Sequence, residues 1–228
     1  MIDLQGFGAQ LALGAWMTVR LALAALLLGL SLGMLGAVAK SSHLKALRVL
    51  GDFYSTVFRG IPELVVVLLL YFGSSRGLTA VSEMFGGEYV ELNPFAAGTI
   101  ALGLTFGAYA TEVLRGALLT IPPGQMEAGQ ALGLSRSRIF RRIVVPQLWR
   151  IALPGLGNLF MVLLKDTALV SVIGLSDILR QTGVAARVSK EPFLFFGLAC
   201  VLYLVLAMLS SVAFNAIERW AGKSGASR

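Results

Sequence analysis

Lys165 and Asp166 stand side by side in an otherwise uncharged stretch, residues 151–176. An ionisable side chain at the centre of a bilayer costs at least about 2.5 to 3.5 kcal/mol on insertion scales, so each one needs a partner or a cavity. Neighbouring residues on a helix point about 100° apart, so this pair cannot close neatly on itself. At least one of the two must face a cavity or another helix. An interrupted apolar span is also a general pointer to a transporter's substrate site near the midplane. Asn158, eight residues before Asp166, returns close to the same helical face. The chemistry on offer is cation recognition: Asp166 would bind a cationic group of a substrate, with Asn158 and Thr167 supplying hydrogen bonds. Structural contacts of Lys165 and Asp166 with neighbouring helices are the alternative.

A second constellation is Tyr109, Glu112 and Arg115. Glu112 and Arg115 are three apart, a spacing that permits an intrahelical ion pair, and structural pairing is the preferred reading. A gate formed by Glu112 with Tyr109, one turn earlier, is the sharper alternative. Arg59 and Glu63 flank Gly60-Ile61-Pro62 and would organise the start of an apolar run. Arg20 would snorkel to the outer interface. His43 is the single histidine and Cys200 the single cysteine, which excludes an intramolecular disulfide and any cysteine-based metal cluster. A metal role for His43 is not expected. Gly222-Lys223-Ser224 resembles the end of a phosphate-cradling loop, but Ile217 stands where its first glycine would be and no strand precedes it. The chain therefore has no ATPase motif of its own. Apart from a serine and lysine dyad, which Lys165 alone does not establish, nothing pairs a nucleophile with a base at membrane depth, as an intramembrane protease would require.

These residues need helices in a membrane to position them. Of 228 residues 57% are hydrophobic and 14% charged, with a mean hydropathy of +0.80, which is too apolar for a soluble domain of this length. A hydrocarbon core of roughly 30 Å requires about 20 apolar residues per helix. Uncharged runs at 21–39, 92–111 and 192–217 meet that length. Runs at 64–75 and 151–164 do so only when extended past the charged residues beside them. The expected fold is an all-α membrane protein, a single domain over 1–228, with five spans at about 16–39, 57–76, 94–117, 150–174 and 192–217. Gly103 and Gly107 form a small-residue step suited to close helix approach, within the chain or against a partner.

The net charge of +7 follows the pattern of cytoplasmic loops rather than of a nucleic-acid surface. Thirteen of nineteen cations fall on one side if the N-terminus is outside and the C-terminus inside, while Glu83, Glu88 and Glu91 oppose Arg76 on the other. Arg180, Arg187 and Lys190 would then be external. The first apolar run reads as a retained helix and not as a cleaved signal.

Within the longest polar connection, residues 121–150, the stretch 121–146 would be a cytoplasmic helix-turn-helix. Ile121-Pro122-Pro123-Gly124 ends one helix, residues 125–132 read helical, and Gly133 breaks them. Ser135 is a candidate N-cap for a basic amphipathic stretch that Pro146 would close. In it Ile139, Ile143 and Pro146 share one face, and Arg138, Arg141, Arg142 and Val145 fill the rest. By periodicity alone such a helix could also rest on anionic lipid.

The same connection reads Glu127-Ala128-x4-Gly133-x9-Ile143-x2-Pro146, preceded by Gly124-Gln125. It resembles the EAA loop of ABC-importer permeases. Tyr109-Ala110-Thr111-Glu112-Val113-Leu114-Arg115-Gly116-Ala117, Arg59-Gly60-Ile61-Pro62-Glu63 and Lys165-Asp166-Thr167-Ala168-Leu169-Val170-Ser171 are similar to the polar amino acid subfamily. Within it the chain looks most like the Q-type subunit of histidine, lysine/arginine/ornithine or opine importers. The resemblance implies a non-catalytic translocation subunit in the bacterial inner membrane. Glu127 and Ala128 would mark the short helix that docks on an ATPase dimer, Gly133 its turn, and Arg138, Ile143 and Pro146 the flanking helix. It implies further partners: a second, M-type permease or a second copy, and an extracytoplasmic amino-acid-binding protein. ATP and Mg would be used by the partner ATPase, with no cofactor on this chain. A secondary transporter or channel is the rival class, and it would not require the EAA-like loop.

Overall fold

The computed structural model describes residues 6–84 and 92–223. Asp3, Glu88, Glu91, Ser224 and Arg228 lie outside the described residues. Among those described every element is helical: α1 Gly8–Lys40, α2 Lys45–Gly60, α3 Glu63–Met84, α4 Pro94–Thr120, α5 Pro123–Ala131, α6 Arg136–Ile139, α7 Val145–Asp166, α8 Ile178–Ser189 and α9 Pro192–Lys223. A π turn, Phe140–Val144, joins α6 to α7, and a 3₁₀ segment, Thr167–Ile173, follows α7.

Four helical stretches are long and apolar enough to cross a bilayer: Gly8–Lys40, Pro94–Thr120, Arg136–Ile173 and Pro192–Ala221. The pair Lys45–Gly60 and Glu63–Gly77 is long and apolar enough only when taken together, and it is bent by 104°. The run expected as one span at 57–76 therefore straddles a break between α2 and α3. Pro62 causes it. A residue before proline is pushed out of the helical region, and Ile61 is extended at φ −102° and ψ 134°.

The centre of the fold is the contact between α1 and α4. Apolar surface gains nothing by leaving lipid for another helix, so close packing and dispersion must hold membrane helices together, and small residues permit it. A Cβ placed on Gly33 would lie 2.7 Å from that of Ala110, and one on Gly107 2.9 Å from that of Leu32. One on Gly103 would lie 2.8 Å from Leu28 Cδ2. Gly103 and Gly107 thus serve packing inside the chain. The hydroxyl of Thr111 donates to the Gly107 carbonyl at 2.8 Å, which hides its polarity within α4. The larger apolar core grows around this contact, with Leu21, Leu102, Leu114, Leu148 and Val170 all buried. A smaller cluster of Leu11, Ala185, Ala186 and Phe195 joins α1, α8 and α9.

Pro146 does not close the basic helix, contrary to the expectation from proline chemistry alone. Helix continues from Arg136 through Asp166 by way of the π turn. Proline lacks the N–H that the ladder needs there, and a wider turn at this point absorbs the defect. Gln147 Nε2 donates to the Ile143 carbonyl at 2.8 Å and occupies an acceptor of that turn.

Candidate functional site

The break at Pro62 makes Glu63 the first residue of α3 and brings it to a cavity of about 220 Å³. Its wall from α4 is Leu102, Thr105, Phe106 and Tyr109, and from α7 Leu159, Val162, Leu163 and Asp166. Both sets recur at three or four residues and so form single helical faces. Among the described residues neither Glu63 nor Asp166 has an ion-pair partner within 4 Å. The Thr105 hydroxyl is spent on the Ala101 carbonyl at 3.0 Å. What remains is two carboxylates and a tyrosine in an apolar setting, an arrangement that favours a cation with an apolar stem.

The other residues proposed for the substrate lie elsewhere. Asn158 is exposed and does not line the cavity. Thr167 is fully buried, and its hydroxyl donates to the Leu164 carbonyl at 2.6 Å. Lys165 is exposed beside the site. Glu63 is the residue that sequence reasoning missed here. Its signal was a carboxylate directly after Ile61-Pro62 at the head of an apolar run.

Tyr109 links the cavity to an ionic network. The guanidinium of Arg59 lies 5.7 Å from its ring centroid and 3.6 Å from Glu112 Oε1. Glu112 is also bound by Lys40 and lies 4.0 Å from Arg115. Lys40, whose side chain is 7% exposed, reaches Asp52 at 2.9 Å and donates to Ser55 Oγ at 2.9 Å. The intrahelical pair of Glu112 and Arg115 is thus the longest contact of a network that ties the ends of α1 and α2 to α4. Nothing in the local sequence signals Lys40, which is 72 residues from its partner Glu112.

At the far end of α7, α5 ends in a Schellman turn. Leu134 N–H donates to the Gly129 carbonyl at 3.0 Å and Gly133 N–H to the Gln130 carbonyl at 2.9 Å. Gly133 takes φ +71°, a left-handed conformation that favours glycine. Gly129 is buried because α5 crosses the next helix there, and a Cβ on it would lie 2.9 Å from Ile139 Cγ1. The side chain of Gln147 donates to that of Gln125, fastening α5 to the root of α7. Glu127, Ala128, Arg138 and Pro146 are exposed, and Ile143 is half-buried over Gly129. Leu132, 80% exposed, stands at the tip of the turn. Gly129 and Gln147 complete the element and were not singled out by sequence reasoning, whereas Gln125 stood in the motif without an assigned role.

Residues 25–222 match the family described as binding-protein-dependent transport system inner membrane component. The chain is 46% identical over 221 residues to the arginine ABC transporter permease protein ArtQ of Escherichia coli, covering 91% of this chain and 93% of that one. It is 43% identical over 220 residues to the nopaline transport system permease protein NocQ of Agrobacterium fabrum, covering 96% and 93%. Against the histidine/lysine/arginine/ornithine transport system permease protein HisQ of Escherichia coli the identity is 40% over 217 residues, covering 95% of each. A chain from the crystal structure of an amino acid ABC transporter with histidines superposes with a TM-score of 0.80 at 31% identity, over 96% of this chain and 99% of that one. A chain of the MetNI methionine ABC transporter, 17% identical, shares the fold with a TM-score of 0.75 over 97% and 99%. Together with the exposed helix-turn-helix and its glycine turn, these similarities establish that the chain belongs to the binding-protein-dependent transport system inner membrane components, as a Q-type permease subunit of the polar amino acid ABC importers.

Proposed function

We propose that this chain forms half of the membrane pathway of an ATP-driven importer and that Glu63 and Asp166 receive the cationic side chain of a basic amino acid. The observation that carries the substrate class is the unpaired pair of carboxylates in one apolar cavity. Two anions held there with no described cation of the chain in ion-pair contact are costly, and a guanidinium or ammonium group supplies the missing charge. The names of the relatives, for arginine, nopaline and histidine/lysine/arginine/ornithine, agree with a basic substrate.

The N-terminus faces outside and the C-terminus inside the bacterial inner membrane. An extracytoplasmic binding protein delivers substrate to the outer face, and a second permease, an M-type homologue or another copy, completes the pathway. On the inner face α5 and the following turn dock on an ATPase dimer that uses ATP and Mg. This chain supplies positioning: Glu127, Ala128 and Leu132 meet the partner, and Gly133 holds their angle. The link between Gln125 and Gln147 passes a push on α5 to α7. From Val145 to Asp166, α7 is a helix of about 33 Å, with Pro154 inside it, that ends in the cavity. Motion at the coupling element therefore moves Asp166 relative to Glu63 on α3, which changes how the site holds its cation.

The experiment is uptake by the complete transporter in vesicles. Asp166→Asn and Glu63→Gln should each raise the KM for a basic amino acid about tenfold or more, the loss of a charge-assisted contact. Unchanged KM and rate in both variants would overturn the assignment.

A further inference from the structure

Two cavities follow one another along α7 and α9, and neither is the carboxylate site. The first, about 360 Å³, lies at the α5 end of the spans and is lined by Trp149, Arg150 and Trp220 with Pro146, Leu153 and Ile217. The second, about 280 Å³, lies between α1, α7 and α9, with Leu23, Phe160, Leu206, Phe214 and again Ile217 in its wall. Ile217 belongs to both, so the two are consecutive stretches of one crevice. From Ile217 back to Leu206 helix α9 rises about 16 Å, close to half of a roughly 30 Å hydrocarbon core.

The chemistry changes along that length. At the end of the spans, two indole rings and a guanidinium share a cavity. Tryptophan is the side chain of membrane interfaces, and the arginine fork matches a phosphate. Among the described residues Arg150 has no ion-pair partner within 4 Å. Among the described residues no acid lines either cavity. Glu218, the acid nearest in sequence, is turned toward Gly157, with Oε1 3.7 Å from where a Cβ would stand. Deeper in, the wall is apolar except for Ser210.

The geometry points to a resident phospholipid site in this crevice: an anionic headgroup phosphate on Arg150 beside Trp149 and Trp220, with an acyl chain between α1, α7 and α9. An amphiphile one leaflet deep matches a wall that passes from charged and aromatic to apolar over that distance. The site lies on α7 but is independent of the substrate reading, since it involves neither Glu63 nor Asp166. A lipid there fills the gap beside α9, most of whose apolar side chains are exposed in the single chain.

The test uses the complete transporter in detergent supplemented with equal amounts of phosphatidylglycerol and phosphatidylethanolamine, with native mass spectrometry counting the lipids retained. Phosphatidylglycerol should be retained in preference. Arg150→Gln should lower its retention about fivefold, and Ala213→Trp, which fills the deeper stretch, should lower it as well. A wash with inorganic phosphate should leave the lipid bound. Equal retention of the two lipids, or retention unchanged in both variants, overturns the site. Retention of neither lipid, or displacement by phosphate alone, which makes it a free-anion site, also overturns it. If a variant fails to assemble, the lipid preference of the unaltered transporter decides.

Discussion

Lys40 carries the last charge of α1 into a nearly dry position, where Asp52, Ser55 and Glu112 receive it. Removing a charged donor from such a site costs about 1.5 to 3 kcal/mol, since its hydrogen bonds are charge-assisted. The loss is not larger because Arg59 and Arg115 remain to compensate Glu112. Lys40→Gln should therefore lower the thermal unfolding midpoint in detergent, and Arg115→Gln, which removes only a 4.0 Å contact, should lower it less. Equal effects would show that the network is not centred on Lys40. A spacing of three along one helix was enough to raise Glu112 and Arg115 as a pair. The stronger partners come from other helices, and local sequence carries no trace of which of many cations will meet a given acid.

At the scale of elements, the α5 turn depends on two glycines for different reasons. Gly133→Ala must hold an L residue at φ +71°, a cost of about 1 to 2 kcal/mol with the turn still formed. Gly129→Leu instead forces atoms against Ile139 and separates α5 from the helix beneath it. Co-purification of the ATPase should fall modestly with the first and be lost with the second. The reverse order would place the weight on the turn and not on the crossing. Gly133 was legible as a helix breaker, whereas Gly129 has no signal except a neighbour that only folding supplies.

The connection before α8 makes a different prediction. Asp177 is fully buried, its Oδ1 accepts from Arg180 N–H at 2.9 Å, and Oδ2 has no hydrogen-bond partner among the described residues. Burial pushes its carboxyl up to about 6, although its backbone donors oppose the rise. The folded chain then binds more protons than the unfolded chain between pH of roughly 4 and 6. Stability is therefore fully present at the acid end and declines as pH rises to about 6, by at most about 3 kcal/mol. Between pH 7.5 and 5 the unaltered protein should gain thermal stability. Asp177→Asn, neutral throughout and still able to cap α8, should match it at pH 5 and exceed it at pH 7.5. A variant with the same pH dependence as the parent would remove Asp177 as the cause.

For the whole molecule, the seam between α1 and α4 governs whether the remaining helices have anything to pack on. A side chain at Gly36 would collide with Thr111, and at Gly33 with Ala110. Gly33→Leu should cost about 3 kcal/mol or more, the upper range for overpacking, and appear as loss of monodisperse protein from detergent extracts. Gly116→Ala, where nothing lies within 4 Å, is the matched control and should be silent.

Apolar length was enough to specify an all-helical membrane protein, because lipid admits few backbone solutions, and the motifs around Arg59, Glu112 and Glu127 to Pro146 were enough to mark its resemblance to the ABC-importer permeases. The sequence also marked Asp166, since a charge in an apolar run is conspicuous without any knowledge of the fold. Tertiary structure alone decided that Glu63 shares its cavity while Asn158 and Thr167 do not. It also decided that the helix at Pro146 continues by way of a π turn instead of ending, and that Pro62 bends a would-be span by 104°. The physical reason is the same in each case. Periodicity sets which residues share a face of one helix, but the face that meets a cavity, a lipid or another helix depends on contacts far apart in the chain.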